Sequence, residues 1–225
     1  MFPKVDSAML NRIGNFLDAT FEDWGKEKLQ KYNTLMAYYR CAMMEIETKF
    51  NVLNEEFSLQ YDRNPINSIK TRLKSYESIK EKLKRQNVPF SAESIKENLN
   101  DVAGVRVVCA FERDVYNLAE ALLKQDDIQL IQKKDYIANP KENGYRSLHL
   151  IVAVPIFLAK EKHYMRVEIQ LRTIAMDFWA SLEHQLRYKK DSPFTEEMAK
   201  ELYECATLSA TLDSKMDKLR EQVQK

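Results

Sequence analysis

Glycine and proline are scarce: four glycines and six prolines punctuate 225 residues. So few breakers exclude a loop-rich architecture and put most of the chain in long regular elements, a helix-rich α/β mixture. Charge of one sign is missing too. Thirty-five Lys and Arg face 34 Asp and Glu, a formal charge of +1, so no bulk field draws DNA, RNA or an anionic membrane. Any polyanion site must be local. No apolar run reaches the ~18 residues of a membrane helix, and Met1 opens a polar stretch unlike an export signal. Cys41, Cys109 and Cys205 sit in apolar runs without C-x-x-C spacing, so buried free thiols in a reducing cytoplasm are expected rather than disulfides or zinc ligands.

What is present is concentrated in one stretch. Lys134–His149, K-D-Y-I-A-N-P-K-E-N-G-Y-R-S-L-H, joins a turn, marked by Asn139-Pro140 and Asn143-Gly144, to a strand. Lys134, Lys141, Arg146 and His149 are anion donors beside the flat ring of Tyr145, and Gly144 permits close backbone approach. Phosphates need several such donors and a base offers a π-face to an aromatic ring. The residues alone leave two readings open, a nucleotide site and a solvated polar hairpin.

Taken in order, residues 6–24 read as an amphipathic helix, followed from about Lys26 by a longer one. Leu29, Tyr32, Met36, Tyr39, Met43, Ile46, Phe50, Leu53 and Phe57 alternate at spacings of three and four, a heptad stripe for a coiled coil or a packed arm. After Asn64-Pro65, Ser68–Lys84 is a dense basic stretch, with Ser75 as the expected N-cap of its helix. It is either an anion site or a solvated face. Strands are expected over residues 101–111, 128–136, 147–155 and 164–172, with a crossover helix over 114–125, giving a mixed sheet. Asp101 and Arg106 bracket the first strand, as metal or base ligands or as a structural salt bridge. In the last, Glu168, Gln170 and Arg172 form a polar ladder facing either solvent or an active site. Thr173 caps a helix with Ala175, Trp179, Leu182 and Leu186 as its buried stripe and Asp177 opening the other face. Pro193 breaks it, and a final helix from Thr195 to Lys225 carries a second heptad stripe through Met198, Leu202, Cys205, Leu212, Met216, Leu219 and Val223, with Ser209 at its one polar position.

Together D-V-A-G-V-R-V at Asp101, the Lys134–His149 loop and V-E-I-Q-L-R-T-I-A-M-D-F-W-A at Val167 resemble the RelA/SpoT synthetase domain, and the stand-alone small alarmone synthetases of its RelP branch in particular. The resemblance implies an α/β (α+β) fold, a mixed-sheet nucleotidyltransferase-like core flanked by long N- and C-terminal helices. It implies a single synthetase domain over 1–225, comprising a helical arm (1–62), a catalytic core (63–190) and a C-terminal helix (191–225). The implied reaction moves the β,γ-pyrophosphoryl group of ATP to the 3′-hydroxyl of GTP or GDP, giving pppGpp or ppGpp plus AMP; GMP is left open as an acceptor.

By the same resemblance Asp101 and Glu168 hold Mg²⁺, Glu168 is the general base and Gln170 orients the site. ATP is bound by Arg72 and Arg106, around adenine, and by Lys74, Ser78, Lys82 and Arg85 at the phosphates. The acceptor is bound by Lys134, Lys141, Asn143, Tyr145, which stacks on guanine, Arg146, His149 and Asp177, which faces the guanine edge. No covalent intermediate is implied, so Ser78 and Cys109 are not nucleophiles. His149, His163 and His184 lack the pattern of the family's hydrolase domain, so synthesis without hydrolysis is expected, in a cytoplasmic homo-oligomer, a tetramer built through the long helices. Competing readings are a catalytically silent nucleotide sensor and an RNA-modifying nucleotidyltransferase, the latter disfavoured by the near-neutral charge.

Overall fold

The computed structural model describes residues 25–61, 63–187 and 194–223. The helix expected over residues 6–24 and the break at Pro193 lie outside them. The first helix described, α1 (Lys26–Tyr61), uses the stripe read from the sequence as its buried face: Tyr32, Met36, Tyr39, Met43, Ile46, Phe50 and Leu53 are all buried. The 3-4 spacing that gathers them on one side thus serves packing within the chain.

The chain divides into two compact units. One takes the described residues up to Tyr38 with Tyr76–Leu99, hence the start of α1, α2 (Tyr76–Arg85) and α3 (Ala92–Asn98). Its core gathers Ile79, Leu83, Ile95 and Leu99, beside rings of Tyr76 and Phe90 whose centroids are 5.0 Å apart. Asn87, at φ 56°, ends α2. The N–H groups of Val88 and Asn87 donate to the carbonyls of Leu83 and Lys84 at 3.0 and 3.1 Å, closing the last turn. The Ser91 hydroxyl caps α3 by accepting from the Ser94 N–H at 3.0 Å.

The other unit, Tyr39–Ser75 with Asn100 onward, holds the sheet. Its strands are β1 (Ile66–Leu73), β2 (Ala103–Cys109), β3 (Gln129–Asp135), β4 (Leu148–Phe157) and β5 (Lys162–Thr173), in spatial order β1-β2-β5-β4-β3. The β2–β5 pair is parallel and the other three pairs are antiparallel. The mixed sheet expected from the sequence is therefore present, with one strand more. The first half of the basic stretch after Asn64-Pro65, for which no strand was expected, is β1, and the helix follows directly after Ser75. An edge strand with polar residues on both faces carries no alternation to betray it.

One face of this sheet is apolar. Val105, Val107, Leu148, Leu150, Val152, Val167, Ile169 and Leu171 are buried there, and α4 (Glu112–Leu123) packs on β2 and β5. The opposite face carries two rows that cross every strand. Lys70, Arg106, Gln170, His149 and Lys134 are successive partners, and so are Arg72, Gly104, Glu168, Ile151 and Gln132. Because side chains two apart on a strand share a face, these rows make one polar floor.

Beyond the sheet come α5 (Ile174–Arg187) and α6 (Glu196–Val223). Thr173 caps α5 as expected, its hydroxyl accepting from the Met176 N–H at 3.1 Å. The buried stripe of α5 differs from expectation: Met176, Asp177, Trp179 and Ala180 are buried while Leu182 and Leu186 are exposed. The cause is α6, whose buried Ala206 packs with Trp179 and Ala180 and whose Leu202 carbonyl accepts from the Trp179 indole at 2.8 Å. The α6 heptad stripe faces outward, with Met198, Leu212, Met216 and Leu219 all about half exposed, between 47% and 55%. Cys205 rides on that outward face and is exposed and Cys41 is part-exposed, so burial of the thiols, expected for all three, holds for Cys109. No described helix is long and apolar enough to cross a membrane.

Candidate active site

Two cavities open on the polar floor. The larger, about 370 Å³, is lined by Lys70, Arg72, Lys74, Asp101, Arg106 and Gln170, among others, and by Glu168. The smaller, about 180 Å³, is lined by Lys134, Tyr136, Lys141, His149 and again Glu168. Gly104 sits between Arg72 and Glu168 in register, and its missing side chain leaves the floor of the larger cavity open.

Glu168 is held from both sides. Gln170 donates from Nε2 to its Oε2 at 3.0 Å, and His149 Nδ1 faces its Oε1 at 3.6 Å, long for a hydrogen bond. Burial pushes this carboxyl up, yet His149 and Gln170 outweigh burial and the Asp101 charge, leaving it below the ordinary glutamate range. At neutral pH Glu168 is an ionised proton acceptor. Asp101, just ahead of β2, pairs with Lys74 at 2.5 Å in the same cavity.

The loop is shaped by Asn143, whose Oδ1 accepts from the Tyr145 N–H at 3.2 Å, and by Gly144, at φ +86°, against α6. A Cβ on Gly144 would stand 2.5 Å from that of Ala206, so glycine is required here by both space and backbone. Tyr145 packs against the Trp179, Ala180 and Ala206 cluster. Its ring centroid has Lys141 Nζ at 5.0 Å and the Arg172 guanidinium at 5.1 Å, and its hydroxyl meets His149 Nε2 at 2.8 Å. This is a π-face with cations beside it, suited to a base bearing phosphates.

A family model described as "Region found in RelA / SpoT proteins" matches residues 71–193. The chain belongs to the RelA/SpoT family. The chain is 41% identical over 207 residues to "GTP pyrophosphokinase YwaC" of Bacillus subtilis, covering 92% of this chain and 95% of that one. Among solved structures, small alarmone synthetase 2 of B. subtilis has a TM-score of 0.77 at 40% identity, over 85% of this chain and 98% of that one. Small alarmone synthetase 1 of B. subtilis, bound to its product pppGpp, has a TM-score of 0.78 at 33% identity, over 87% and 100%.

Of the residues singled out by the RelA/SpoT resemblance, Arg72, Lys74, Asp101, Arg106, Glu168 and Gln170 line one cavity, and Lys134, Lys141 and His149 line the other with Glu168. Ser78, Lys82 and Arg85 lie on α2 in the first unit. Two placements differ from expectation. Arg146 lines neither of these cavities but a separate one of about 480 Å³, with Tyr203, Thr211, Lys215 and Lys218 of α6. Asp177 is not on an open face: its Oδ1 accepts from Arg106 and Arg172, each at 3.2 Å, and Lys70 stands 3.7 Å from Oδ2. Lys70, Gln132 and Tyr136 belong to the cavities and were not singled out by the sequence. Period-two spacing from Arg72 and Lys134 points to Lys70 and Gln132, but Tyr136 carries no such signal.

Proposed function

We propose that this chain transfers the β,γ-pyrophosphoryl group of ATP to the 3′-hydroxyl of GTP or GDP, forming pppGpp or ppGpp and releasing AMP. The observation that carries it is the place of Glu168 in a wall common to both cavities. ATP takes the larger cavity, with Arg72 and Arg106 around adenine and Lys74 at its phosphates. The guanine nucleotide takes the smaller, with Tyr145 stacked on the base and Lys134, Lys141 and His149 on phosphates and ribose. Ser78, Lys82 and Arg85 keep their assignment to ATP phosphates, and Arg146 its assignment to the acceptor, on resemblance alone.

The 3′-oxygen attacks the β-phosphorus, its proton passes to Glu168, and the bond from that phosphorus to the α,β-bridging oxygen breaks as AMP leaves. Phosphoryl-type transfer asks mainly for positioning and charge stabilisation. Asp101 and Glu168 offer hard oxygen ligands in one cavity and repel each other there, a donor set that fits Mg²⁺ with substrate phosphates completing its shell. An ion held by Asp101 and Glu168 would supply positive charge against the negative charge that develops in the transition state.

The whole chain works as one synthetase domain in the cytoplasm, without hydrolase activity and without DNA or membrane as partner. The outward α6 stripe joins subunits into a homotetramer. Light scattering checks this, and a monomeric mass at micromolar concentration overturns it. The activity is tested by chromatography of ATP and Mg²⁺ incubated with GMP, GDP or GTP. AMP and a more highly phosphorylated guanosine should appear together, and vanish in Glu168→Gln. Unchanged nucleotides beside measurable guanine-nucleotide binding would make the chain a sensor instead.

A further inference from the structure

Arg172 has no role in the function proposed above, yet it touches both halves of the site. Its side chain is 5% exposed. One guanidinium nitrogen donates to the Tyr145 hydroxyl at 2.5 Å and to Gln170 Oε1 at 3.2 Å, while the other donates to Asp177 Oδ1 at 3.2 Å. From there two branches converge on Glu168. Gln170, accepting from Arg172 through its oxygen, donates through its nitrogen to Glu168. Tyr145, accepting from Arg172, meets His149, whose other ring nitrogen faces Glu168.

Donor inventory gives both branches one direction. Arginine only donates and an ionised carboxylate only accepts. With its oxygen accepting from Arg172, Tyr145 has its single proton for His149 Nε2, the acceptor in reach among the described residues. The neutral imidazole then carries its proton on Nδ1, the nitrogen that faces Glu168. This assignment follows from the hydrogen-bond network.

We infer that Arg172 is a positioning residue that sets the stacking ring of Tyr145 and the carboxylate of Glu168 in one operation, the Tyr145 hydroxyl fixing the tautomer of His149 on the way. The inference rests on Glu168 being the base. Seating the acceptor on Tyr145 and aiming the base are then a single arrangement, so loss of the hydroxyl, with the ring kept, disturbs chemistry more than binding.

The test pairs Tyr145→Phe, which keeps the ring, with Arg172→Lys, which keeps the charge but loses the planar fork. In steady-state kinetics Tyr145→Phe should lower kcat about tenfold to a hundredfold, the cost of a misaimed group, with KM for GTP within about twofold. Arg172→Lys should not restore wild-type kcat. Wild-type kcat in Tyr145→Phe, or a fall confined to KM, overturns the inference while leaving the proposed reaction standing. A readout independent of turnover is ¹⁵N NMR of the imidazoles at about pH 8, where an ordinary histidine is neutral, with His149 assigned from His149→Asn. His149 should be the Nδ1–H tautomer in the wild type and lose that preference in Tyr145→Phe. An Nε2–H tautomer in the wild type refutes the inference even if the chain makes no alarmone, and Tyr145→Phe decides if Arg172→Lys fails to fold.

Discussion

Asp177 separates two physical pictures of the site. In the structure its carboxylate accepts from Arg106 and Arg172 and stands near Lys70, whose side chains are 35%, 5% and 62% exposed. Lys70 adds below about 1 kcal/mol, because an exposed pair is screened and costs side-chain freedom. The weight lies with Arg172, a buried cation that removal of the carboxylate leaves beside a second one. Burial, first, and the Arg172 charge hold the Arg106 pKa below its ordinary value, with Asp177 opposing both. Breaking a buried pair by deleting one partner costs about 3–5 kcal/mol, so Asp177→Ala should lose about that much. Asp177→Asn keeps an acceptor oxygen and should lose about 1.5–3 kcal/mol, the worth of a hydrogen bond to a charged group. Urea unfolding at several protein concentrations measures this, since a shifted midpoint at constant slope reports stability and concentration dependence reports subunit dissociation. A midpoint unmoved in both variants, with only the KM for GTP raised, would refute the ion-pair reasoning and return Asp177 to the guanine edge.

Three further outcomes are expected. Gly144→Ala must find room for a Cβ 2.5 Å from that of Ala206 at positive φ, so it should lose about 1–2 kcal/mol from backbone alone and raise the KM for GTP; Ala206→Gly should recover part of the loss, and strict additivity in the double-mutant cycle would count against the contact. Gly104→Val places a side chain on the floor of the larger cavity, and since a Cβ there meets the Arg72 carbonyl oxygen at an ordinary 3.5 Å, the fold should survive while the KM for ATP rises; unchanged ATP kinetics would remove ATP from that cavity. Burial, with the charges of Asp213, Asp217 and Asp135 adding and Arg146 opposing, pushes the Glu112 carboxyl up. A raised folded pKa means that Glu112 favours the fold below the ordinary glutamate value of about 4.3 and that this advantage is lost as pH rises through the folded value, so Glu112→Gln should be the more stable protein at pH 7 and the gain should fade towards pH 4; a variant less stable at pH 7 would contradict this.

The legible parts of this chain were those where one pattern admits one arrangement. Nine apolar residues at spacings of three and four predicted the inner face of α1, and the alternation of β5 put Glu168, Gln170 and Arg172 on one side. Where a pattern admits several arrangements, chemistry beyond the sequence chose between them. The stripe of α6 is as regular as that of α1, yet periodicity says that a stripe exists and not what covers it. Tyr145 and Arg146 are neighbours in a loop rich in donors, and composition could not tell that Arg146 lines a different cavity from Lys134, Lys141 and His149. Arg172 was visible on the β5 ladder, but nothing local joins it to Tyr145, 27 residues earlier.

A carboxylate standing in the wall of two rooms also has a meaning for inhibition. Each cavity alone is small, 370 and 180 Å³, but they adjoin at Glu168, so with ATP and the guanine nucleotide seated in them as proposed above, one molecule with an adenosine at one end, a guanosine at the other and a phosphate chain between would enter both. Its second half then binds at the effective concentration set by the tether, which reaches the millimolar range for short linkers. Avidity of that kind comes from the shared wall rather than from any new contact, and it excludes both nucleotides at once.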